Sequence, residues 1–277
     1  MRASAAEVDD YYERCIPFYR EFLGEHWHTG WYLGGQQPTV RDQLRMELRI
    51  GEAAGLAPGM RVLDVGCGIG GPAVHLASEF GVTVVGLTPV AAQARIATQR
   101  AADAGLTDAV QFVLGRAEAM PFDTASFDAV LFFESACHFA DRLRFFTEAR
   151  RVLTPGGRMA GEDWLAAGSG PHDTQADAWH RRIEETWAIP RLGSLRDYVS
   201  GLQAAGFEAA EGIDMRDEMP LLKGFAASEA IRAAVQARLD RTDEPIRREI
   251  LIGLLALGEA AERGAFTVGR FRAIKPG

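Results

Sequence analysis

A glycine-rich segment, Asp64-Val65-Gly66-Cys67-Gly68-Ile69-Gly70-Gly71, constrains the fold of this 277-residue chain more than any other feature. It follows a short apolar run, 61–65, that predicts a strand, and it precedes residues 70–79, which predict a helix. Glycines at such a junction let the backbone turn tightly and come close to a ligand. The segment therefore predicts a strand–turn–helix unit whose turn contacts a ligand.

Strands and helices alternate in the residues that follow. Strands are predicted at 82–87, 109–114, 128–133 and 158–163, with helices at 90–104 and 141–153 between them. A helix at 195–205 and strands at 207–213 and 266–273 complete the pattern. This alternation predicts a doubly wound α/β fold with a parallel sheet.

The regions beside the predicted sheet have helical periodicity. Apolar residues from Val8 to Phe22 recur near a period of 3.6, and a second helix is predicted over 40–54. We assign residues 1–55 to an N-terminal helical lid and residues 56–277 to the α/β domain, with a helical cap inserted at 218–263. Both helical regions are expected to cover the carboxyl edge of the sheet, where open α/β sheets bind ligands.

Composition and charge exclude several classes of protein. The formal net charge of −8 argues against a nucleic-acid binder that relies on an overall positive field. No run approaches the ~18 apolar residues of a membrane span, and the 3 cysteines form neither a CxxC pair nor a disulfide framework. We expect a cytoplasmic protein with a small-molecule partner and no nucleic-acid or membrane partner. A homodimer through the N-terminal helices stays open.

The glycine segment also matches a dinucleotide-binding pattern, because Gly66, Gly68 and Gly71 satisfy GxGxxG. Two details argue against a nicotinamide enzyme. Asp64 stands two residues before the first glycine, which is not part of that pattern. The second strand ends in Thr88-Pro89, without the acid that binds the ribose hydroxyls in dinucleotide enzymes. An NAD(P)-dependent oxidoreductase therefore stays only as an alternative.

Five ordered segments resemble the motifs of class I S-adenosylmethionine-dependent methyltransferases. They are 62–70, Gly86-Leu87-Thr88-Pro89 with Gln93, 115–122, 126–130 and 151–157. The resemblance covers about residues 56–163. It implies a Rossmann-like seven-stranded methyltransferase sheet, S-adenosylmethionine as the cofactor and methyl transfer as the reaction. A cofactor-binding protein without catalysis is a further alternative, which a degraded first motif would favour.

The resemblance also assigns residues to the cofactor. Asp64 is expected to hold its ammonium group by a charge-assisted hydrogen bond. Thr88 and Gln93 are expected near the ribose, and Glu118 near the adenine. The other residues expected at the cofactor are Tyr11, Trp31, Gly66, Cys67, Gly68, Pro89, Ala117 and Phe133.

The candidate reaction centre follows the fourth predicted strand, at Glu134 and His138. The spacing Glu-x3-His resembles tocopherol methyltransferases and small-amine N-methyltransferases. Cyclopropane synthases carry Glu where this chain has Cys137, which argues against cyclopropane chemistry. His138 is expected to act as a general base, since an unperturbed histidine titrates near neutrality. Glu134 is expected to orient His138, to act as the base itself, or to stabilise a transient cation. In the alternative, Glu134 contacts the cofactor and His138 is a structural hydrogen-bonding group.

Aromatic residues surround the predicted mouth of the site. The string His28-Thr29-Gly30-Trp31-Tyr32 resembles the lid of related small-molecule methyltransferases. We assign Tyr12, His28, Trp164 and Trp179 to the substrate, because aromatic faces hold cationic or electron-rich ligands. Trp27 and Trp187 are expected to pack between helices. No metal site is predicted, since His172, Asp173, Asp177 and His180 match no zinc template and a solvated loop is expected there.

These observations predict a methyltransferase that acts on a small molecule. The Glu134/His138 pair and the aromatic residues favour C-methylation of an electron-rich ring such as indole, or of a prenyl alkene, in specialised metabolite biosynthesis. N-methylation of a small amine is the next alternative, and O-methylation is the third.

Overall fold

The computed structural model describes residues 5–31, 39–168, 174–218 and 229–277. Tyr32, His172 and Asp173 lie outside the described residues, as does 219–228 of the predicted cap. The helices are α1 Ala5–Phe22, α2 Val40–Ala54, α3 Gly71–Phe80, α4 Ala91–Asp103, α5 Arg142–Val152, α6 Thr174–Thr186, α7 Leu195–Ala204, α8 Met215–Glu218, α9 Glu229–Leu239 and α10 Pro245–Glu262. The strands are β1 Arg61–Val65, β2 Thr83–Thr88, β3 Val110–Leu114, β4 Phe127–Phe133, β5 Leu153–Ala166, β6 Glu208–Asp214 and β7 Phe266–Ile274, and a 3-10 turn spans Ala136–His138.

The strands form one seven-stranded sheet in the order β3-β2-β1-β4-β5-β7-β6. The prediction of a doubly wound α/β fold is confirmed. The prediction of an all-parallel sheet is wrong for β7, which runs antiparallel to both β5 and β6. Apolar alternation reports which residues of a strand are buried, and it carries no information about strand direction.

Each face of the sheet is covered by its own apolar core. Val62 of β1 belongs to the core that includes Ala73 and Leu76 of α3. Its neighbour Leu63 belongs to the opposite core, with Phe145 of α5. Successive side chains of a strand point to opposite faces, so a buried strand supplies both cores.

Two elements differ from the sequence predictions. Helix α6 occupies a region where we expected a solvated loop, and Ala176 and Ile183, two turns apart, are its buried residues. The sequence of this helix contains few apolar residues, because only one narrow side of the helix is buried. Strand β5 is longer than the predicted 158–163, since β7 pairs with it from Arg158 to Ala166.

The N-terminal helix α1 covers the ligand edge of the sheet. Its residues Tyr11, Cys15 and Tyr19 are buried. It contacts α4 and α10, and Arg247 of α10 lies 2.9 Å from Glu21. Among the described helices, none is long and apolar enough to cross a membrane. The division of the chain between residues 55 and 56 stays a prediction.

Candidate active site

The site lies at the carboxyl ends of β1 and β4, where the strand order reverses direction along the sheet. The turn after β1 has positive φ at Gly66, Gly68 and Gly70, at 76°, 52° and 80°. These are conformations that glycine adopts without a steric penalty. The amides of Gly66 and Cys67 donate to the carbonyl of Leu87, at 2.8 and 3.1 Å, and fasten the turn to β2.

A first cavity opens over this turn and brings together most of the residues predicted for the cofactor. They are Asp64, Gly66, Cys67, Gly68, Thr88, Pro89, Gln93, Ala117, Glu118 and Phe133. The structure does not place Tyr11 and Trp31 in its lining. The Tyr11 hydroxyl lies 3.0 Å from that of Tyr19, and Trp31 packs under the guanidinium of Arg49 at 3.7 Å. Tyr11 thus pairs with a residue of its own helix, α1, and Trp31 packs against α2.

Asp64 is the buried acid of the first cavity. It is 1% exposed, and its Oδ2 has no hydrogen-bond partner among the described residues. Burial, and next the nearby charge of Glu47, raise its pKa to about 7. A buried carboxyl oxygen without a partner is costly, so this atom fits a cationic ligand group that donates a hydrogen bond.

The far end of the first cavity is formed by Thr88, Gln93 and Glu118. The Thr88 hydroxyl donates to Oε1 of Gln93 at 2.7 Å and accepts from the amide of Val90 at 3.2 Å. Oε1 of Glu118 accepts from the amide of Ala140 at 3.0 Å. These contacts hold the predicted ribose and adenine residues in place around the cavity.

A second cavity of about 910 Å³ adjoins the first. Its walls are mainly aliphatic and aromatic side chains from the lid, β5, β7 and the helices α9 and α10. They include Phe18, Leu23, Trp164, Trp187, Val235, Ile250, Leu254, Leu257, Phe266 and Val268. Seven of the residues that the structure describes line both cavities and so mark their junction: Tyr12, Tyr19, Glu25, Trp27, His28, Glu134 and His138.

At this junction, His138 is held by Tyr12. The Tyr12 hydroxyl lies 2.6 Å from Nε2 of His138. Loss of solvation lowers the pKa of His138 to about 4 and raises the pKa of Tyr12 well above its usual value. The imidazole is therefore neutral near pH 7, and in the tautomer that carries its proton on Nδ1 the phenol donates to Nε2. Tyr12, rather than the predicted Glu134, is the partner of His138.

Glu134 occupies a strained position at the end of β4. Its φ is +44°, in a region that non-glycine residues avoid. Its amide donates to the carbonyl of Glu162 at 2.9 Å, and its Oε1 accepts from the amide of Thr29 at 2.9 Å. Burial, and next the charge of Glu162, raise the pKa of Glu134 to about 8. The carboxyl group is thus mainly protonated near pH 7 and ties the lid loop to the sheet.

Asp163 supports the reaction centre and was missed in the sequence. Its Oδ2 accepts from the amide of Cys137 at 2.8 Å and from the hydroxyl of Tyr198 at 3.0 Å. Its Oδ1 accepts from the amide of Trp164 at 2.8 Å. These bonds fix the turn that carries His138. The acidic pair at the end of the fifth predicted strand was the signal available in the sequence.

The predicted substrate residues divide between two places. Tyr12, His28 and Trp164 line the second cavity. Trp179 does not line it and lies on α6, 5.6 Å from the guanidinium of Arg263. Trp27 and Trp187, which we expected to pack between helices, also face the cavities. Which side of a helix meets a cavity depends on the neighbouring helices.

Comparisons with known proteins identify the family. A family model described as a methyltransferase domain matches residues 63–161. Methyltransferase GfsG of Streptomyces halstedii is 36% identical over 224 residues, covering 78% of each chain. The 27-O-demethylrifamycin SV methyltransferase of Amycolatopsis mediterranei (strain S699) is 33% identical over 210 residues, covering 76% of each. The chain belongs to the class I S-adenosylmethionine-dependent methyltransferases.

A solved structure shows the same fold for the methyltransferase over its whole length. The crystal structure of mycolic acid cyclopropane synthase CmaA1, complexed with SAH and CTAB, superposes with a TM-score of 0.82. It is 23% identical and covers 99% of each chain, so the likeness concerns the fold alone. The family membership removes the alternatives of a nicotinamide oxidoreductase and of a protein without catalysis.

S-adenosylmethionine is the cofactor of this methyltransferase. The first cavity fits this cofactor for two reasons. Oδ2 of Asp64 has no hydrogen-bond partner among the described residues and can accept from a cationic group. The glycine turn lines the cavity with backbone rather than with side chains. We expect Asp64 and the turn 66–68 to hold the methionine portion, and Thr88, Gln93 and Glu118 to hold the nucleoside. Glu134 and His138 then stand between the cofactor and the second cavity.

Proposed function

We propose that this methyltransferase acts on a large, mainly apolar small molecule and that the acceptor atom is a hydroxyl oxygen. The observation that carries the proposal is the hydrogen bond of 2.6 Å between the Tyr12 hydroxyl and Nε2 of His138. With the imidazole proton on Nδ1, a hydroxyl group donates to the histidine at the junction of the two cavities. We infer that an acceptor hydroxyl takes this place when substrate binds.

The second cavity supports an apolar substrate. Its volume of about 910 Å³ stands at the upper end of the ~300–1,000 Å³ of small-molecule sites. Leu254 and Leu257 of α10, Phe266 of β7 and Trp164 of β5 form part of its wall. A small polar amine would leave this wall in contact with water, which opposes binding. The cavity therefore argues against N-methylation of a small amine.

His138 is suited to remove the proton of an acceptor hydroxyl. When bound, S-adenosylmethionine supplies an electrophilic methyl group on a sulfonium. The neutral imidazole can accept a proton at Nε2 near pH 7, since its pKa is about 4. A base with so low a pKa is weak, so the proton moves as the oxygen forms its new bond rather than before it. Apolar walls exclude water, which would otherwise compete for the methyl group.

Carbon is the second candidate acceptor, and Glu134 is the observation that favours it. Its carboxyl group lines both cavities. When ionised, it would stabilise a carbocation formed after methylation of an electron-rich ring or a prenyl alkene. Tyr12, Tyr19 and Trp27 offer aromatic faces at the same junction, and these also favour a cation. C-methylation therefore stays second, and both acceptors fit a role in specialised metabolite biosynthesis.

An assay with four acceptor molecules distinguishes a hydroxyl oxygen from a carbon as the acceptor atom. The purified protein is incubated with S-adenosylmethionine and either 27-O-demethylrifamycin SV, cycloartenol, geranyl diphosphate or sarcosine, and products are measured by mass spectrometry. We expect methylation of the first, and a turnover about 10²–10⁴-fold lower in H138Q than in E134Q. Methylation of cycloartenol or geranyl diphosphate, with E134Q the more impaired variant, would assign carbon. Methylation of sarcosine alone would contradict an apolar substrate.

A further inference from the structure

A group of polar side chains beside the junction of the two cavities converges on Glu47 of α2. Oε1 of Glu47 lies 2.5 Å from Nδ1 of His26 and 2.8 Å from Nε2 of His28. Oε2 lies 2.6 Å from Nδ1 of His75, on α3. The Glu47 cluster, as we name His26, His28, Glu47 and His75, thus joins the lid loop 23–31 and α2 to α3 of the α/β domain.

The donor atoms of this cluster form the set that borderline transition metals prefer. Nδ1 of His26, Nε2 of His28 and the Glu47 carboxylate lie within 4.8 Å of one another, and His75 contacts the other carboxylate oxygen, Oε2, and so holds the Glu47 side chain in place. Two imidazole nitrogens and one carboxylate oxygen make a three-ligand set of the kind that holds Zn²⁺ with a water molecule in the fourth position. With bonds of ~2.0–2.1 Å, tetrahedral ligands stand about 3.3 Å apart. The side chains therefore need to separate by about 0.5–0.8 Å to admit the ion.

A second, independent observation is the environment of the other nitrogen of His28. Nδ1 lies 3.0 Å from the carbonyl of Thr29 and 3.3 Å from Oε1 of Glu162. Both neighbours are acceptors, so Nδ1 carries a proton. Histidines that bind metals donate their second N–H to a carbonyl or carboxylate in this way, and this fixes the tautomer. Nε2 of His28 points at Oε1 of Glu47, which is also an acceptor, so this nitrogen carries a proton too, and a metal ion that binds there displaces that proton.

The charge of the surroundings also favours a cation. Glu47, Asp64 and Glu162 are 0–1% exposed, and Glu47 and Glu162 both contact His28 of the lid loop. Oε1 of Glu162 lies 3.3 Å from Nδ1 of His28, and Oε2 has no hydrogen-bond partner within the described part of the chain. Buried carboxylates are costly unless they are paired or bind a metal ion. A dication bound at Glu47 would stabilise the ionised forms of these carboxyl groups.

We propose that the Glu47 cluster binds one divalent transition-metal ion such as Zn²⁺, with His26, His28 and Glu47 as ligands, His75 as the partner of Glu47 and Glu162 as the partner of His28. Three protein ligands leave the fourth position to water, and the role we assign to the ion is to hold the lid loop. It fastens the loop whose Thr29 amide binds Glu134 to α2. The proposal does not depend on which atom is methylated, and it differs from our sequence prediction of no metal.

Metal content tests the proposal. Tag-free full-length protein is stripped with a chelator, returned to Zn²⁺ or Co²⁺, dialysed and measured by elemental analysis and visible absorption. We expect one ion per chain, a higher Tm with Zn²⁺, and the intense visible bands of four-coordinate Co²⁺. If the stripped wild-type protein binds neither ion and its Tm does not change, the cluster is a hydrogen-bond network only and the proposal is overturned.

Variants decide whether the ion is held at this place. We expect H26Q and E47Q to lose stoichiometric Zn²⁺, and E162Q, which keeps every ligand, to bind it about 10–100-fold more weakly. The matched control is H180Q, because Nε2 of His180 contacts the carbonyls of Ala167 and Ala265 away from the cluster. Equal binding by H26Q, E162Q and H180Q would overturn the assignment. If E47Q does not fold, the comparison of E162Q with H180Q still decides it.

Discussion

The hydroxyl of Tyr12 on α1 and Nε2 of His138 after β4 are 2.6 Å apart, although 126 positions separate them in the chain. The contact joins the lid to the reaction centre. It also shows that Nε2 of His138 forms a hydrogen bond with a hydroxyl group, which Nε2 accepts in the tautomer protonated at Nδ1. Enclosure of the imidazole makes it a weak base that stays neutral, and this property can be measured without a substrate.

We expect His138 not to titrate above about pH 5, because burial lowers its pKa to about 4. The measurement is an NMR titration of histidine-labelled protein, with the His138 resonance assigned by its loss in H138Q. In Y12F the pKa should stay below about 5, since burial rather than the phenol is the main cause of the shift. A midpoint between pH 6 and 7 in the wild-type protein would contradict the neutral-base assignment.

Replacement of Asp64 should weaken cofactor binding. In D64N, S-adenosylmethionine loses a hydrogen bond to a charged group, which is worth about 1.5–3 kcal/mol, or roughly a 10–150-fold change in Kd. Isothermal titration calorimetry measures the effect. The control is D108N, because Asp108 is exposed and does not line the cavity. Equal affinities of D64N and D108N would remove Asp64 from the cofactor site.

Cofactor affinity should depend on pH through the same residue. The pKa of Asp64 is about 7 without cofactor, and a bound ammonium group favours the ionised carboxylate and lowers that pKa. Binding therefore releases a proton below pH 7, so affinity should rise with pH from about 5.5 and level off near 7. The slope should approach tenfold per pH unit. The same titration of D64N should lack this slope, and a slope common to both proteins would assign it to another group.

Gly66 should be irreplaceable at the cofactor turn. Its φ is +76°, and an added Cβ would collide with the Ser135 side chain. The matched control is Gly105, with φ of +68° and no atom within 4 Å of an added Cβ. G105A should lose about 1–2 kcal/mol of unfolding free energy from backbone strain, and G66A a further ~1–3 kcal/mol from overpacking. Urea unfolding measures both, and equal losses would show that the Ser135 contact relaxes freely.

The order of helices and strands was determined largely by the sequence. The helix over 40–54 and the strand over 61–65 have the predicted bounds, because hydrophobic periodicity and glycine stops act within a few residues. The first cavity was predicted for the same reason. Asp64, Gly66 and Gly68 belong to one turn, and Thr88 follows the adjacent parallel strand, so their proximity follows from the sheet.

The glutamate at the centre of the Glu47 cluster left a faint signal. Glu47, Ile50, Gly51 and Ala54 recur at spacings of three and four and are all buried on α2. That periodicity indicates that Glu47 faces the protein interior. The partners of Glu47 follow no comparable pattern. His26 and His28 lie before α2 in the chain, in the loop 23–31, and His75 lies in a separate helix, α3.

Only the tertiary structure determined which residues line the second cavity. Trp179 shares an aromatic character with Trp164, yet Trp164 lines the second cavity and Trp179 packs against Arg263. The direction of β7 likewise depends on its pairing with β5 and β6. The Tyr12–His138 contact and the Glu47 cluster also join residues that lie far apart in the chain. Local patterns report which side of an element is buried, whereas the packing of distant elements determines what that side meets.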